Sequence, residues 1–254
     1  MAWNPQQYLK FGGERLRPVY DLVARVALEA PHNIADLGCG TGAMTAILKA
    51  RWPEANIIGI DNSQTMLDRA RAAVSGILWQ LSDIAKWKSE APLDLLASNA
   101  ALHWIDDHET LFPRLLSTLG TGGVLAVQMP AQHNAPSHRI GYELAEGERW
   151  RDRLKDLVRR RPILEYDDYY AIVRPHASSV DIWFTDYVHV LSGENPVSEF
   201  TKGSFVGVWL SALSESEAHE FEAEYRKAIA AAYPRQADGV TLFPFRRFFL
   251  VAQR

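Results

Sequence analysis

Apolar runs and helical periodicities alternate along the first 130 residues of the chain. The runs NIADL, ANIIGID, GILWQLSD, LDLLASNAAL and GGVLAVQMP predict five strands. Apolar residues at helical spacing predict helices over residues 14–30, 42–52, 63–74 and 108–119. Ser63 predicts a helix N-cap, and Gly120 predicts the end of the last of these helices. The strands are apolar on both faces, which is typical of a parallel sheet covered by helices, so the pattern predicts a doubly wound α/β fold.

After Pro130 the pattern changes. The stretch VDIWFTDYVHVL alternates as a strand does, and GVTLFPFRRFFLVAQ predicts a last strand in which Pro244 indicates an edge position or a bulge. Helical patterns fill much of the remainder. The chain therefore predicts a single domain over residues 1–254, built on a seven-stranded, mostly parallel sheet. Added helical lid segments are expected at about 133–175 and 196–232.

Composition narrows the function classes. The 254 residues carry a net charge of −4, with 47% hydrophobic and 23% charged residues, which argues against a nucleic-acid-binding protein. One basic cluster, RRRP, is interpreted as a solvated helix end. The single cysteine, Cys39, allows no intrachain disulfide, and no apolar run has the length of a membrane span. We expect a cytoplasmic monomer with no nucleic-acid or membrane partner.

The stretch IADLGCGTGAMTAIL, from Ile34 to Leu48, places three alternating glycines between a strand and a helix. The six residues Gly38-Cys39-Gly40-Thr41-Gly42-Ala43 fit the pattern G-x-G-x-x-G/A, in which backbone N–H groups at a sheet edge approach a bound nucleotide. The alternative is a tight strand-to-helix turn without a ligand. The pattern alone does not separate the two.

Polar residues also follow the ends of successive predicted strands. Asp36 precedes the first glycine, and Asp61, Asp83 and Asn99 end the second, third and fourth strands. An acid after the second strand can accept hydrogen bonds from ribose hydroxyls, and one after the third can accept from a purine amine. Taken singly, Asp61 and Asp83 are better interpreted as helix caps and Asn99 as a turn residue. Together they predict a nucleoside site at the edge where open α/β sheets bind ligands.

The motifs DLGCGTG, IIGID, SDI and SNAALHW resemble those of class I methyltransferases, which use S-adenosyl-L-methionine. The resemblance implies that the glycine turn faces the methionine part of this cofactor, that Asp61 holds the ribose, and that Asp83 with the Ile84 backbone meets the adenine. The cofactor-binding residues it predicts are Asp36, Gly38, Gly40, Gly42, Asp61, Asn62, Asp83, Ile84 and Asn99.

The segments WNPQQYLKF, DIWFTDYVHVL and FRRFFLVAQR extend the likeness to most of the chain, where it resembles the trans-aconitate 2-methyltransferase family. This implies methyl transfer to a carboxylate of a small acid. Such an acid is already ionised at pH 7, so no catalytic base and no metal are expected. The resemblance predicts substrate contacts from Tyr8, His103, Trp104 and Arg247.

Alternatives stand beside these substrate contacts. Arg246 and Arg247 point to opposite faces of a strand, so one alone can face the acid, and both are alternatively edge-strand charges. Tyr8 is alternatively part of an N-terminal helix packed on the sheet, and His103 a structural turn residue. Further pocket candidates are Gln128, His133 and Tyr142, whereas the aromatic residues of the sixth strand are interpreted as core.

Three other functions compete with this hypothesis. A methyltransferase acting on another small acid or on a quinone-type hydroxyl uses the same cofactor edge. An NAD-linked dehydrogenase needs a catalytic His or a Tyr–Lys pair, which the sequence does not offer clearly. A non-catalytic nucleoside sensor is the third.

Overall fold

The computed structural model describes residues 16–158, 160 and 163–254. Tyr8 and most of the RRRP cluster lie outside this range. The chain divides into two compact units. The first consists of Met1–Pro130, Ile163–Thr185 and Arg247–Arg254, and the second consists of Ala131–Pro162 and Asp186–Arg246. Among the described residues, no helix combines the length and apolar character needed to span a bilayer.

Strands and helices follow one another as the apolar pattern predicts. The described strands are β1 Asn33–Leu37, β2 Asn56–Asp61, β3 Leu78–Leu81, β4 Leu93–Asn99, β5 Leu119–Pro130, β6 Ser179–Leu191 and β7 Thr241–Gln253. The described α-helices are α1 Arg17–Ala24, α2 Ala43–Arg51, α3 Gln64–Ala73, α4 His108–Ser117, α5 Pro136–Ala145, α6 Arg151–Leu154, α7 Tyr166–Val173, α8 Pro196–Thr201, α9 Gly207–Leu210 and α10 Glu215–Ala232. A π-helical turn, Lys202–Val206, joins α8 to α9.

The sheet has the strand order β3-β2-β1-β4-β5-β7-β6 across the described residues. The pairs β1–β2, β1–β4, β2–β3 and β4–β5 are parallel, and β5–β7 is antiparallel. The chain order reverses between β1 and β4, so polar residues at the carboxyl ends of these strands gather at a topological switch point. The predicted fold class, a doubly wound and mostly parallel seven-stranded sheet, is confirmed.

Three local predictions differ from the structure. The first helix ends at Ala24, well before Pro31. The Arg51 guanidinium donates to the carbonyl of Val23 in its last turn, which has no partner within the helix, and to that of Val26 beyond it. Helix α4 ends at Ser117, and Gly120 lies inside β5 instead of closing the helix. Strand β7 is not an edge strand, because it lies between β5 and β6. Pro244 lies beyond the last β5–β7 pair, Pro130 with Arg247, so that ladder does not need its missing N–H group.

A buried histidine ties α4 and α7 to the chain that follows β4. His108 Nε2 lies 3.0 Å from the Leu102 carbonyl oxygen, which can only accept, so this nitrogen carries the proton. His108 Nδ1 then accepts from the Tyr169 hydroxyl at 2.6 Å. Tyr169 and Phe112 are fully buried and complete the packing. The neutral His108 imidazole thereby stabilises the turn after β4, which carries the predicted substrate residues.

The second unit has its own aromatic core. Tyr142, Trp209, Phe221 and Phe243 are buried there, and the Tyr225 hydroxyl donates to the Ser137 carbonyl oxygen at 3.1 Å. The expected lid range 133–175 divides between the units, because Ile163–Thr185, which include α7, belong to the first unit.

Candidate active site

The glycine turn connects β1 to α2 through a left-handed backbone. Gly38 and Gly40 have φ angles of +73° and +54°. A Cβ atom on Gly38 would lie well under 3.0 Å from the Cβ of Ala101, so this glycine is required by close packing as well as by its conformation. A Cβ atom on Gly40 would meet no described atom within 4 Å. The turn is therefore packed at Gly38 and open at Gly40, which leaves backbone accessible to a ligand.

Asp61 lies directly against this turn. Its Oδ2 accepts the Gly40 N–H at 2.9 Å, and its Oδ1 accepts the Ser63 N–H at 2.9 Å. Ser63, not Asp61, is the N-cap of α3, because the Ser63 hydroxyl accepts from Met66 N. Each carboxylate oxygen retains a second lone pair. Asp61 is thus held by backbone groups in a position to accept hydrogen bonds from a diol.

Asp36 is a fully buried carboxyl group beneath the turn. Its Oδ2 accepts from the Thr45 hydroxyl at 2.6 Å, and its Oδ1 has no hydrogen-bond partner among the described residues. Burial raises the pKa of Asp36 to about 7; the Thr45 hydrogen bond opposes this rise, and the Asp61 charge adds to it. The group can therefore exist in either protonation state near neutral pH.

The segment after β3 reaches the same turn. Asp83 Oδ1 accepts the Ala85 N–H at 2.9 Å, so this residue does cap a local turn, as the alternative interpretation held. Its side chain is about half exposed, and its second oxygen lies 3.9 Å from Lys86 Nζ. The side chain of Ile84 lies near Gly38, whereas Asn62 is exposed. Ile84 therefore lies beside the glycine turn, and Asp83, its neighbour in the chain, keeps a half-exposed carboxylate.

The chain leaving β4 is strained and polar. Ala100 has a φ of +52°, which is unfavourable for a residue with a Cβ atom and is typical of functional sites. Asn99 Oδ1 and His103 Nδ1 are buried without a hydrogen-bond partner in the described part of the chain. Burial, reinforced by the nearby Arg247 charge, lowers the pKa of His103 to about 4. His103 is neutral at pH 7, and the ring of the exposed Trp104 lies 4.7 Å from it.

Register places several of these groups on one face of the sheet. Asp36 pairs with Ala97, two residues before Asn99 on β4. Asn99 pairs with Gln128, Gln128 pairs with Phe249, and Pro130 pairs with Arg247. Paired residues share a face, and so do residues two apart on a strand. We call these four side chains the polar row; in strand order they are Asp36, Asn99, Gln128 and Arg247. Arg246 points to the opposite face.

Gln128, one of the further pocket candidates expected from the sequence, is a member of the polar row. It is fully buried, and neither its Oε1 nor its Nε2 has a hydrogen-bond partner among the described residues. A glutamine inside the apolar run GGVLAVQMP is the sequence signal that marks it.

Other candidates fall elsewhere. Tyr8 lies outside the described residues. His133 and Tyr142 belong to the second unit, where Tyr142 packs against Trp209. Trp183 stacks on Phe249 at 4.7 Å between ring centroids, and Tyr169 is buried against His108, as expected of core residues.

Comparisons with known proteins give a family model for part of the chain and relatives over its full length. A family model described as a methyltransferase domain matches residues 34–123, which contain the glycine turn and the strand-end residues up to Asn99. The trans-aconitate 2-methyltransferase of Azoarcus sp. (strain BH72) is 42% identical over 253 residues, covering 100% of this chain and 99% of the relative. That of Methylobacterium nodulans is 44% identical, covering 99% and 98%. This chain belongs to the trans-aconitate 2-methyltransferase family.

Membership in the trans-aconitate 2-methyltransferase family confirms the resemblance and favours a methyltransferase over an NAD-linked dehydrogenase. The fold has solved counterparts as well. An S-adenosylmethionine-dependent methyltransferase from Mesorhizobium loti is 22% identical, with a TM-score of 0.53, and covers 97% of this chain and 100% of its own. The roles of individual site residues in this family member stay predictions.

Proposed function

We propose that this protein transfers a methyl group from S-adenosyl-L-methionine to a carboxylate of trans-aconitate, giving a monomethyl ester. The observation that carries the proposal is likeness over the full chain to trans-aconitate 2-methyltransferases. The aligned length includes β7, which lies outside the matched methyltransferase domain and carries the predicted acid-binding Arg247.

The residues present fit the cofactor. The open backbone at Gly40 gives room for a ligand, and the Asp61 carboxylate beside it suits two ribose hydroxyls. Asp83 and Ile84 flank the turn where the adenine amine is expected, and Asn62 lies next to Asp61. Asp36 and Asn99 each present a buried oxygen that lacks a described partner, as expected of acceptors for a cationic or N–H-bearing ligand.

S-adenosyl-L-methionine, when bound, would supply a methyl group from its sulfonium. Transfer of this group to a carboxylate oxygen forms a C–O bond while the C–S bond breaks and leaves its electron pair on sulfur. The acid is ionised at pH 7, so the protein removes no proton. Its residues align the oxygen and exclude water, which can supply about 7–11 kcal/mol of the barrier in favourable cases. His103 is neutral at pH 7 and can donate a hydrogen bond without acting as a base.

Arg247 is the proposed anchor for a carboxylate that does not react. Its guanidinium lies near enough to His103 to lower the pKa of that imidazole, and it shares the polar-row face of the sheet. A guanidinium binds a carboxylate through two parallel hydrogen bonds. Trp104, exposed beside His103, supplies an apolar wall for the acid.

The test uses purified protein, methyl-labelled cofactor and a panel of small acids and phenols. Labelled ester is expected with trans-aconitate, and thermal stabilisation is expected with S-adenosylhomocysteine but not with NAD. Labelling of a phenol with none of trans-aconitate would contradict the proposed acceptor. Cofactor binding without turnover across the panel would favour a sensor. Cytoplasmic location, a monomeric state and the lid role of residues 133–175 and 196–232 stay predictions.

A further inference from the structure

We infer that Gln128 hydrogen-bonds the carboxylate that receives the methyl group, while Arg247 holds a different carboxylate of the same acid. This inference rests on the proposed function and assigns the two ends of the acid to two side chains of the polar row.

The first support is the state of the Gln128 amide. The side chain is fully buried, and both of its polar atoms lack a hydrogen-bond partner among the described residues. A buried amide without partners is rare in folded proteins and is costly, by about 1–3 kcal/mol for each group. A core position in β5 would be served better by leucine. The glutamine is therefore explained if a ligand completes its hydrogen bonds.

The second support is its place in the polar row. Gln128 pairs with Asn99 on one side, toward the predicted cofactor site, and with Phe249 on the other. Arg247 is two residues from Phe249 on the same face, so strand spacing puts the Cα atoms of Gln128 and Arg247 about 8 Å apart. A polycarboxylic acid can reach both side chains at once. Gln128 lies nearer the cofactor side, and Arg247 lies farther out along the strand direction.

The third support is the chemistry of the reacting oxygen. The attacked carboxylate loses its negative charge as the ester forms. A cation bonded to that carboxylate would stabilise the starting state more than the transition state and would slow the reaction. A neutral amide orients the carboxylate with a weaker preference for its charged form. An unreactive carboxylate keeps its charge throughout, so a guanidinium can bind it without this penalty.

The apolar side chains next to Gln128 also suit this role. Phe249, its β7 partner, is fully buried and stacks on Trp183 with the two rings nearly parallel at 4°. The Arg25 guanidinium lies over the Trp183 ring, 4.9 Å from the ring centroid. The amide is therefore held beside a rigid apolar wall, which limits the directions from which a carboxylate can approach.

The experiment compares Gln128→Leu with Gln132→Leu as a matched control. Gln132 is another buried glutamine, but its Nε2 donates to the Pro244 carbonyl oxygen at 3.1 Å. The measurements are kcat and KM for trans-aconitate, the ratio of monomethyl ester isomers by NMR, and S-adenosylhomocysteine affinity by calorimetry. Gln128→Glu keeps the shape of the side chain and serves as a second variant if the leucine does not fold.

For Gln128→Leu we expect kcat/KM to fall about 10- to 100-fold, mainly through kcat, because a hydrogen bond to a charged group is lost. The isomer ratio should shift, since the anchored carboxylate is no longer distinguished from the reacting one. S-adenosylhomocysteine affinity should stay within about threefold of the unmodified protein. Gln132→Leu should leave the isomer ratio unchanged.

Unchanged kcat and isomer ratio in Gln128→Leu or Gln128→Glu would overturn the inference, and so would an activity loss matched by an equal loss of S-adenosylhomocysteine affinity. Failure of the proposed function looks different: the unmodified protein would then produce no ester from trans-aconitate. In that case the same variants are measured with the acid that is labelled, and an unchanged kcat would again count against Gln128.

Discussion

Adding a single methyl group at two neighbouring glycines should separate the packing role of the turn from its ligand-binding role. Gly38→Ala and Gly40→Ala impose the same chemical change two residues apart. Both residues have positive φ, which costs an alanine about 1–2 kcal/mol. At Gly38 the new Cβ also collides with that of Ala101, and Ala101 is buried at the start of the strained turn after β4. Overpacking of this kind adds about 1–3 kcal/mol.

The expected losses of unfolding free energy are therefore about 2–5 kcal/mol for Gly38→Ala and about 1–2 kcal/mol for Gly40→Ala. Urea unfolding followed by circular dichroism in the absence of cofactor measures both. The order should reverse for ligand binding. A Cβ at Gly40 meets no described atom and projects into the space assigned to the cofactor, so S-adenosylhomocysteine affinity should fall by at least about tenfold.

Two results would refute this reasoning. Equal destabilisation by the two alanines would show that backbone conformation alone decides stability and that the contact with Ala101 is relieved without loss. Gly40→Ala with unaltered S-adenosylhomocysteine affinity would show that the open side of the turn does not face the cofactor.

Three further outcomes follow from the site. Asp61→Asn should weaken S-adenosylhomocysteine binding about 10-fold or more by calorimetry, because an amide cannot accept on both sides as the carboxylate does; unchanged affinity would remove this residue from the ribose site. Arg247→Lys should raise KM for trans-aconitate at least about tenfold, while Arg246→Lys, on the opposite face, stays within about threefold; equal effects would argue against the face assignment. Asp36 has a folded-state pKa raised from 3.8 to about 7, so its contribution to stability is full below about pH 4 and is lost as pH rises toward 7. Urea titrations should therefore show that Asp36→Asn loses less stability than the unmodified protein between pH 4 and 7, and parallel curves would show that this carboxyl does not titrate there.

Much of the candidate nucleoside site could be grouped from the sequence, because its residues occupy strand ends. A parallel sheet brings such ends together whatever the loops do, so Asp61, Asp83 and Asn99 could be grouped before any coordinates. The glycine turn could be located for the same reason. The local pattern could not distinguish Gly38 from Gly40. Gly38 alone of the two packs against Ala101, which belongs to another loop.

The acid side was harder to predict because it depends on register between strands far apart in sequence. Gln128 and Arg247 share a face only through the antiparallel β5–β7 ladder, which no local periodicity reveals. Pro244 suggested an edge position or a bulge, and the edge position was wrong for the same reason, because the neighbours of β7 cannot be read from its own residues. The sequence predicted for His108 only a place in a helix, whereas its bonds to Leu102 and Tyr169 fix the turn after β4.

Insertion of β7 beside β5 has a consequence for biosynthesis. The strand that carries Arg247 follows every other described strand in the chain, whereas the glycine turn and the acids around it are complete by residue 99. During translation, the residues expected to bind the nucleoside therefore leave the ribosome before the strand that carries the proposed acid-binding arginine. Arg247 can take its place in the polar row only after β7 has been synthesised and has paired with β5.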